Sequence, residues 1–124
     1  MFNEIIVANF SDPTFAAELN DANHAIMIGN PVCGDRIMVS LKLDGDLIVK
    51  ARYQAWGCAT SVAMGNLFCA HLNGRHLPNV HSPSPEQIEQ MLGEIEPSQY
   101  HCLEMLKSLF AKLKDLPFNG YGGS

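Results

Sequence analysis

Four cysteines occur in this 124-residue chain, and three of them fall where side chains from separate parts of a fold can converge. Cys33 sits in a stretch punctuated by Asn30, Pro31 and Gly34, just ahead of an alternating apolar run. Cys58 follows Gly57 where a second alternating run gives way to a helical one, and Cys102 falls in the first turn of an amphipathic segment. Loops and element ends are where functional groups are held over a rigid scaffold. Cys58 and Cys102 also lie at or just before helix N-termini, where the dipole and unpaired N–H groups favour a thiolate. Thiolates are what zinc, soft metals and iron–sulfur clusters require. The chain contains no CxxC or CxxH pair, which excludes a zinc finger or a thioredoxin-type redox motif. The wide intervals between the cysteines say nothing about proximity. Two readings therefore stay open on placement alone: a shared metal or cluster site, or cysteine as a small buried hydrophobe. For Cys69, mid-helix among apolar neighbours, the packing reading holds.

The elements that must position these residues can be read from periodicity. Phe2, Ile5, Ile6 and Phe10 have helical spacing, which predicts a short helix over 2–10 stopped by Ser11-Asp12-Pro13. Residues 14–35 read as irregular chain ending in the Cys33 loop. Ile37, Val39, Leu41 and Leu43 alternate, as do Leu47, Val49, Ala51, Tyr53 and Ala55, on either side of Asp44-Gly45-Asp46. That pattern is a β-hairpin. A lone hairpin is marginal, so helices must cover it or a third strand must join it. Thr60 or Ser61 can cap a largely apolar helix through residue 73, with Gly74 as its stop. Residues 75–83 read as a connector. Ser84-Pro85-Glu86-Gln87 combines an N-cap, a proline at the first helical position and a capping-box glutamine, opening a helix to about Leu92. Cys102, Met105, Leu106, Leu109, Phe110 and Leu113 then mark one face of a helix running from Ser98 to about Lys114. The order predicts an α+β class, a small antiparallel sheet covered by helices in one domain over 1–118, with a frayed tail at 119–124.

Composition narrows the partners. With 47% apolar residues the chain can fill one core without disulfides, and its formal charge of −5 argues against nucleic acid or an anionic membrane surface. The eight Lys and Arg are scattered singly. The N-terminus has no basic region leading into a long apolar stretch, so it does not read as a secretory signal, and no run is long enough to span a membrane. A cytoplasmic address follows as the expectation, and there cysteines serve as thiols, metal ligands or catalysts.

The residues around the three cysteines carry a resemblance. Asn30-Pro31-Val32-Cys33-Gly34-Asp35 resembles the N-P-x-C-G-D or A-x-C-G-D segment around the first cysteine of the IscU/NifU-type iron–sulfur cluster assembly scaffolds. Trp56-Gly57-Cys58-Ala59-Thr60-Ser61 resembles their G-C-x-x-S segment, and Tyr100-His101-Cys102-Leu103 their H-C segment. Lys42-Leu43-Asp44 with Ile48-Val49-Lys50-Ala51-Arg52-Tyr53 resembles the family hairpin, and Asn73-Gly74-Arg75 falls where the family has a K-G-K-like helix end. The set appears in family order over residues 23–112.

The resemblance implies an IscU/NifU-like domain that accepts sulfur from a cysteine desulfurase, builds a [2Fe–2S] cluster with iron and passes it to apo-proteins. Such a protein is a carrier rather than a turnover enzyme. Cys33, Cys58 and Cys102 would be the cluster thiolates, with Cys102 the first sulfur acceptor. Asp35 would be the nearby carboxylate and His101 the accessory ligand beside the third cysteine. Asp35 could instead close a turn after Gly34. His24 reads as structural, and His71, His76 and His81 as solvated. The same ligands can bind zinc tetrahedrally, which keeps two alternatives in play: a zinc-dependent SufU-like sulfurtransferase, and a structural zinc-binding interaction protein. Where IscU proteins carry L-P-P-V-K, the segment recognised by an Hsp70-type chaperone, this chain has Ile95-Glu96-Pro97-Ser98-Gln99-Tyr100, a departure that argues against that partner. After Cys58 the family's run of small residues is replaced by Val62-Ala63-Met64-Gly65-Asn66, and the longer SufU insertion is absent.

Overall fold

The computed structural model describes residues 4–30, 34–57, 59–80, 83–97 and 100–115. In chain order the elements are α1 (Glu4–Ser11), β1 (His24–Asn30), β2 (Asp35–Asp44), β3 (Leu47–Trp56), α2 (Ala59–Leu72), α3 (Leu77–Val80), α4 (Pro85–Leu92) and α5 (Tyr100–Lys114). The three strands form one antiparallel sheet in the order β1-β2-β3, and the helices pack over its apolar face. The class is α+β in one domain, as the alternation and the helical stripes predict.

The hairpin turns at Asp44-Gly45-Asp46, where Gly45 takes φ +63°, a conformation that costs glycine little. Along β2 the expected face is buried: Ile37, Val39, Leu41 and Leu43. Along β3 the expected alternation fails at its start. Lys42 pairs with Lys50 but Leu43 pairs with Ile48, so Val49 is an extra residue in the ladder. This bulge turns Ile48 into the core and leaves Val49 exposed, after which Ala51 and Tyr53 resume the buried register.

The irregular stretch expected over 14–35 contains a strand. His24–Asn30 pairs with β2 along its whole length, from His24 opposite Leu41 to Asn30 opposite Asp35. Ile26 faces the core while Met27 is exposed. Apolar Ala25 and Met27 on the solvent side hide the alternation in the sequence, and pairing with β2 decides the conformation. The outer edge of β3 is also covered. Phe15 O accepts from Tyr53 N at 3.1 Å, and Ala17 N donates to Tyr53 O at 3.0 Å, so residues 15–17 strap part of an edge that would otherwise be bare.

Helix α2 starts at Ala59, one residue ahead of the expected caps, and Ser61 lies inside it, buried. Ala63, Met64, Phe68, Cys69 and Leu72 are fully buried. Gly65 is the residue that lets this helix approach β3: a Cβ there would overlap the Tyr53 ring and stand 2.8 Å from its Cγ. The Tyr53 hydroxyl donates to Val62 O at 2.6 Å, closing the same contact. Asn66, buried, donates to Asn9 Oδ1 at 2.6 Å and accepts from Phe15 N at 3.0 Å, tying α1 and the strap to α2. The family-departing run 62–66 is thus packed against this protein's own strap and strand.

The capping box before α4 forms as expected, with Gln87 N donating to Ser84 Oγ at 3.2 Å and Ser84 N to Gln87 Oε1 at 2.8 Å. The α5 stripe from Cys102 to Leu113 is buried, and Phe110 meets Phe68 edge-on at 4.9 Å. The connector expected over 75–83 contains the single turn α3. His76 is exposed and faces Asp46 at 2.9 Å, as a solvated histidine can. His71 departs from the solvated expectation. It is half-buried, edge-on to Phe110 at 5.5 Å, and its Nε2 is buried without a partner among the described residues. Burial first and Arg75 second hold its pKa below the ordinary value, against a backbone hydrogen bond at Val80 that raises it. His81 lies outside the described residues, as does the tail at 119–124. Among the described residues no helix is long and apolar enough to cross a membrane.

Candidate metal centre

Two parts of the site can be built from the described residues: the end of the sheet, and the first turn of α5. Cys33 and Cys58 themselves lie outside those residues, but their chain neighbours do not. Asp35 is the first residue of β2 and is buried, only 5% exposed, on the core-facing side with Ile37 and Val39. It belongs to a strand rather than a turn. Gly57 follows the last residue of β3 with φ +126°, a region open to glycine and strained for L side chains. The two are packed together. A Cβ at position 57 would overlap Asp35 Oδ1 and lie 2.8 Å from its Cγ and 3.0 Å from its Cα. The contact joins the start of β2, two residues past Cys33, to the residue just before Cys58. Beside it Arg36 and Trp56 are register partners, and the guanidinium lies 5.0 Å from the centre of the indole ring.

At the start of α5, the Cys102 thiol has no exposed surface, and its Sγ is 3.9 Å from Nε2 of His101. Successive helix residues point about 100° apart in a helix interior. At this helix start, the imidazole still reaches the sulfur. The position of Cys102 on the apolar stripe, in line with Met105, Leu106 and Leu109, turns it inward. Tyr100, two residues earlier, is instead 54% exposed. A cavity of about 480 Å³ opens between α4 and α5, lined by Leu92, Ile95, Tyr100 and Leu103 with Glu89 and Glu104.

Among the described residues, no three of His, Cys, Asp and Glu come close enough to hold one ion. Among the described residues, the structure brings His101 to Cys102 and Asp35 to Gly57. Cys69 is separate from both, buried in α2, and burial pushes its thiol pKa far up, against the nearby Arg52 guanidinium that lowers it. It is the inert packing cysteine that its neighbours predict. His24 Nδ1 lies 3.0 Å from Asn23 Oδ1, and Asn23 also bridges the backbone of Leu43, a structural setting. What sequence reasoning missed is Gly57. Its only sequence signal is a glycine between a strand and a cysteine, which marks a possible close backbone approach without naming what approaches.

The NifU-like N-terminal domain model matches residues 1–122. The chain belongs to that family. Among its relatives, the iron–sulfur cluster assembly scaffold protein IscU of Aquifex aeolicus is 27% identical over 117 residues, covering 92% of this chain and 74% of that protein. The zinc-dependent sulfurtransferase SufU of Bacillus subtilis is 29% identical over 94 residues, covering 76% of this chain and 63% of that protein. A similar fold is found in the crystal structure of a putative scaffold protein for the SUF system from Fervidobacterium islandicum AW-1, with a TM-score of 0.71, 22% identity and coverage of 91% and 93%.

Proposed function

We propose that this protein is an iron–sulfur cluster assembly scaffold. It takes sulfur from a cysteine desulfurase, assembles a [2Fe–2S] cluster on Cys33, Cys58 and Cys102, and hands the cluster to apo-proteins. The observation that supports this most directly is the packing of Asp35 on Gly57 in a NifU-like chain that keeps all three cysteines. That contact brings the chain flanking the first cysteine against the chain flanking the second and keeps a carboxylate beside them.

The donor set suits the cargo. Thiolates hold iron strongly, while a carboxylate or imidazole is a weaker ligand that leaves one position exchangeable. Asp35 and His101 are the candidates for that position. Sulfur enters when a thiolate attacks the terminal sulfur of the desulfurase persulfide and the desulfurase cysteine leaves as a thiolate. Cys102 is the proposed acceptor. Since its sulfur is buried, transfer requires the first turn of α5 to open, and helix ends are the low-cost places for local opening.

The zinc-dependent sulfurtransferase reading is the second. It is favoured by the likeness to the Bacillus subtilis protein of that name, and by a ligand set that can also bind zinc. Anaerobic reconstitution with desulfurase, cysteine and ferrous iron separates the two. A scaffold develops a visible charge-transfer spectrum with acid-labile sulfide, and loses both in Cys58→Ser. Tight zinc, no such spectrum and stimulation of the desulfurase would replace the scaffold reading with the sulfurtransferase one.

A further inference from the structure

The ligand residues need something to aim them, and one contact at the end of the sheet does so. Asp35 begins β2 and Gly57 ends the chain's passage along β3, one step beyond the Arg36–Trp56 register pair. Across that step the Asp35 carboxyl group lies against the bare Cα of Gly57, in space that any side chain at 57 would occupy. Two independent constraints meet at Gly57: the φ of +126° and the absence of room for a Cβ. By contrast, Gly34 and Gly45 have open space where a Cβ would go, so their glycines answer only to backbone conformation.

We infer that Gly57 is a positioning residue for the metal centre: its missing side chain seats the Asp35 carboxylate beside the cysteine-bearing chain, and so sets the one weak oxygen ligand. This rests on the scaffold reading, because it takes Asp35 as a ligand to the bound metal. A Cβ at 57 acts in two separable ways. It strains the backbone whatever residue 35 is, since φ and the 3.0 Å approach to the Asp35 Cα remain. It also displaces the carboxylate, and that displacement is what the bound metal reports.

Cobalt(II) tells these apart, since its visible d–d bands report the donor set and its near-ultraviolet bands report thiolate coordination. The full chain, purified without metal under anaerobic conditions, is titrated with cobalt(II) as wild type, Asp35→Ala, Gly57→Ala and the double variant. The expected result is thiolate bands in all four. Gly57→Ala should show the d–d bands of Asp35→Ala and bind cobalt about 10–100-fold more weakly than wild type. The double variant should show no further spectral change while its thermal midpoint falls below that of Asp35→Ala. A Gly57→Ala protein that unfolds more easily yet keeps the wild-type d–d bands and affinity would overturn the inference and leave the scaffold reading intact. Absence of thiolate bands in the wild type would overturn both. If Gly57→Ala does not fold, Asp35→Glu decides. It leaves Gly57 in place and pushes the carboxylate one methylene outward, so a shifted d–d spectrum supports the seat and an unchanged one refutes it.

Discussion

Cys69 and Cys102 both carry fully buried thiols, yet they occupy different places in their helices. Cys69 sits in the middle of α2, its backbone hydrogen-bonded within the helix, with Met64, Phe68 and Leu72 buried on the same helix. Its thiol is held protonated by burial. Cys102 is in the first turn of α5, where the leading N–H groups lack intrahelical acceptors, and an imidazole reaches its sulfur at 3.9 Å. Burial therefore does not distinguish the packing cysteine from the proposed ligand cysteine. What distinguishes them is position along the helix: an interior site cannot open without breaking the helix, whereas a first turn can.

The largest expected effect breaks the pair apart. Cys102→Ser should abolish the charge-transfer absorption of the reconstituted protein, while Cys69→Ala should retain it and lose only about 1 kcal/mol of stability. Equal loss in both, by absorption and urea denaturation, would erase the distinction. The next effect tests how tightly the α2 side is packed. Gly65→Ala places a Cβ in the Tyr53 ring and should cost about 1–3 kcal/mol in urea unfolding with cluster assembly unchanged once folded. A neutral result would mean that the ring can move aside.

A smaller effect concerns alkaline pH. Burial raises the pKa values of Cys69 and Tyr53 above their ordinary 9.0 and 10.0. Their unfolded forms lose protons first, so the stabilisation is complete below about pH 9 and declines as pH rises beyond it. Cys69→Ala should flatten part of that decline, read as thermal midpoint against pH. The smallest sits at the junction of α2 and α5, where His71 packs on Phe110. Its folded pKa is lowered, so its contribution is complete above the ordinary 6.5 and is lost as pH falls through the folded value. His71→Leu should flatten stability between neutral and mildly acidic pH. An unaltered acid limb would place the proton elsewhere.

Legibility in the sequence followed the strength of the local signal. The α5 stripe and the Ser84 capping box were readable because each is written within a few residues, as spacing or as paired side chains. Strand β1 was not, because its outward Ala25 and Met27 are as apolar as its inward Ile26 and Ile28, and β2 supplies the pairing that decides. Val49 falls in the alternating pattern yet is exposed for a related reason: a bulge is a relation between two strands and leaves no mark on either alone.

The candidate site divides along the same line. The amino-acid sequence by itself supplied the candidate ligands: three cysteines, an aspartate after one and a histidine before another, in an order that resembles a family's. Only the tertiary structure decided that Cys102 faces inward, that His101 reaches its sulfur, and that Asp35 is seated on Gly57. Ligand chemistry belongs to residue type, which is local. Exposure, reach and close approach belong to pairs of residues far apart in the chain, and folding alone brings those together.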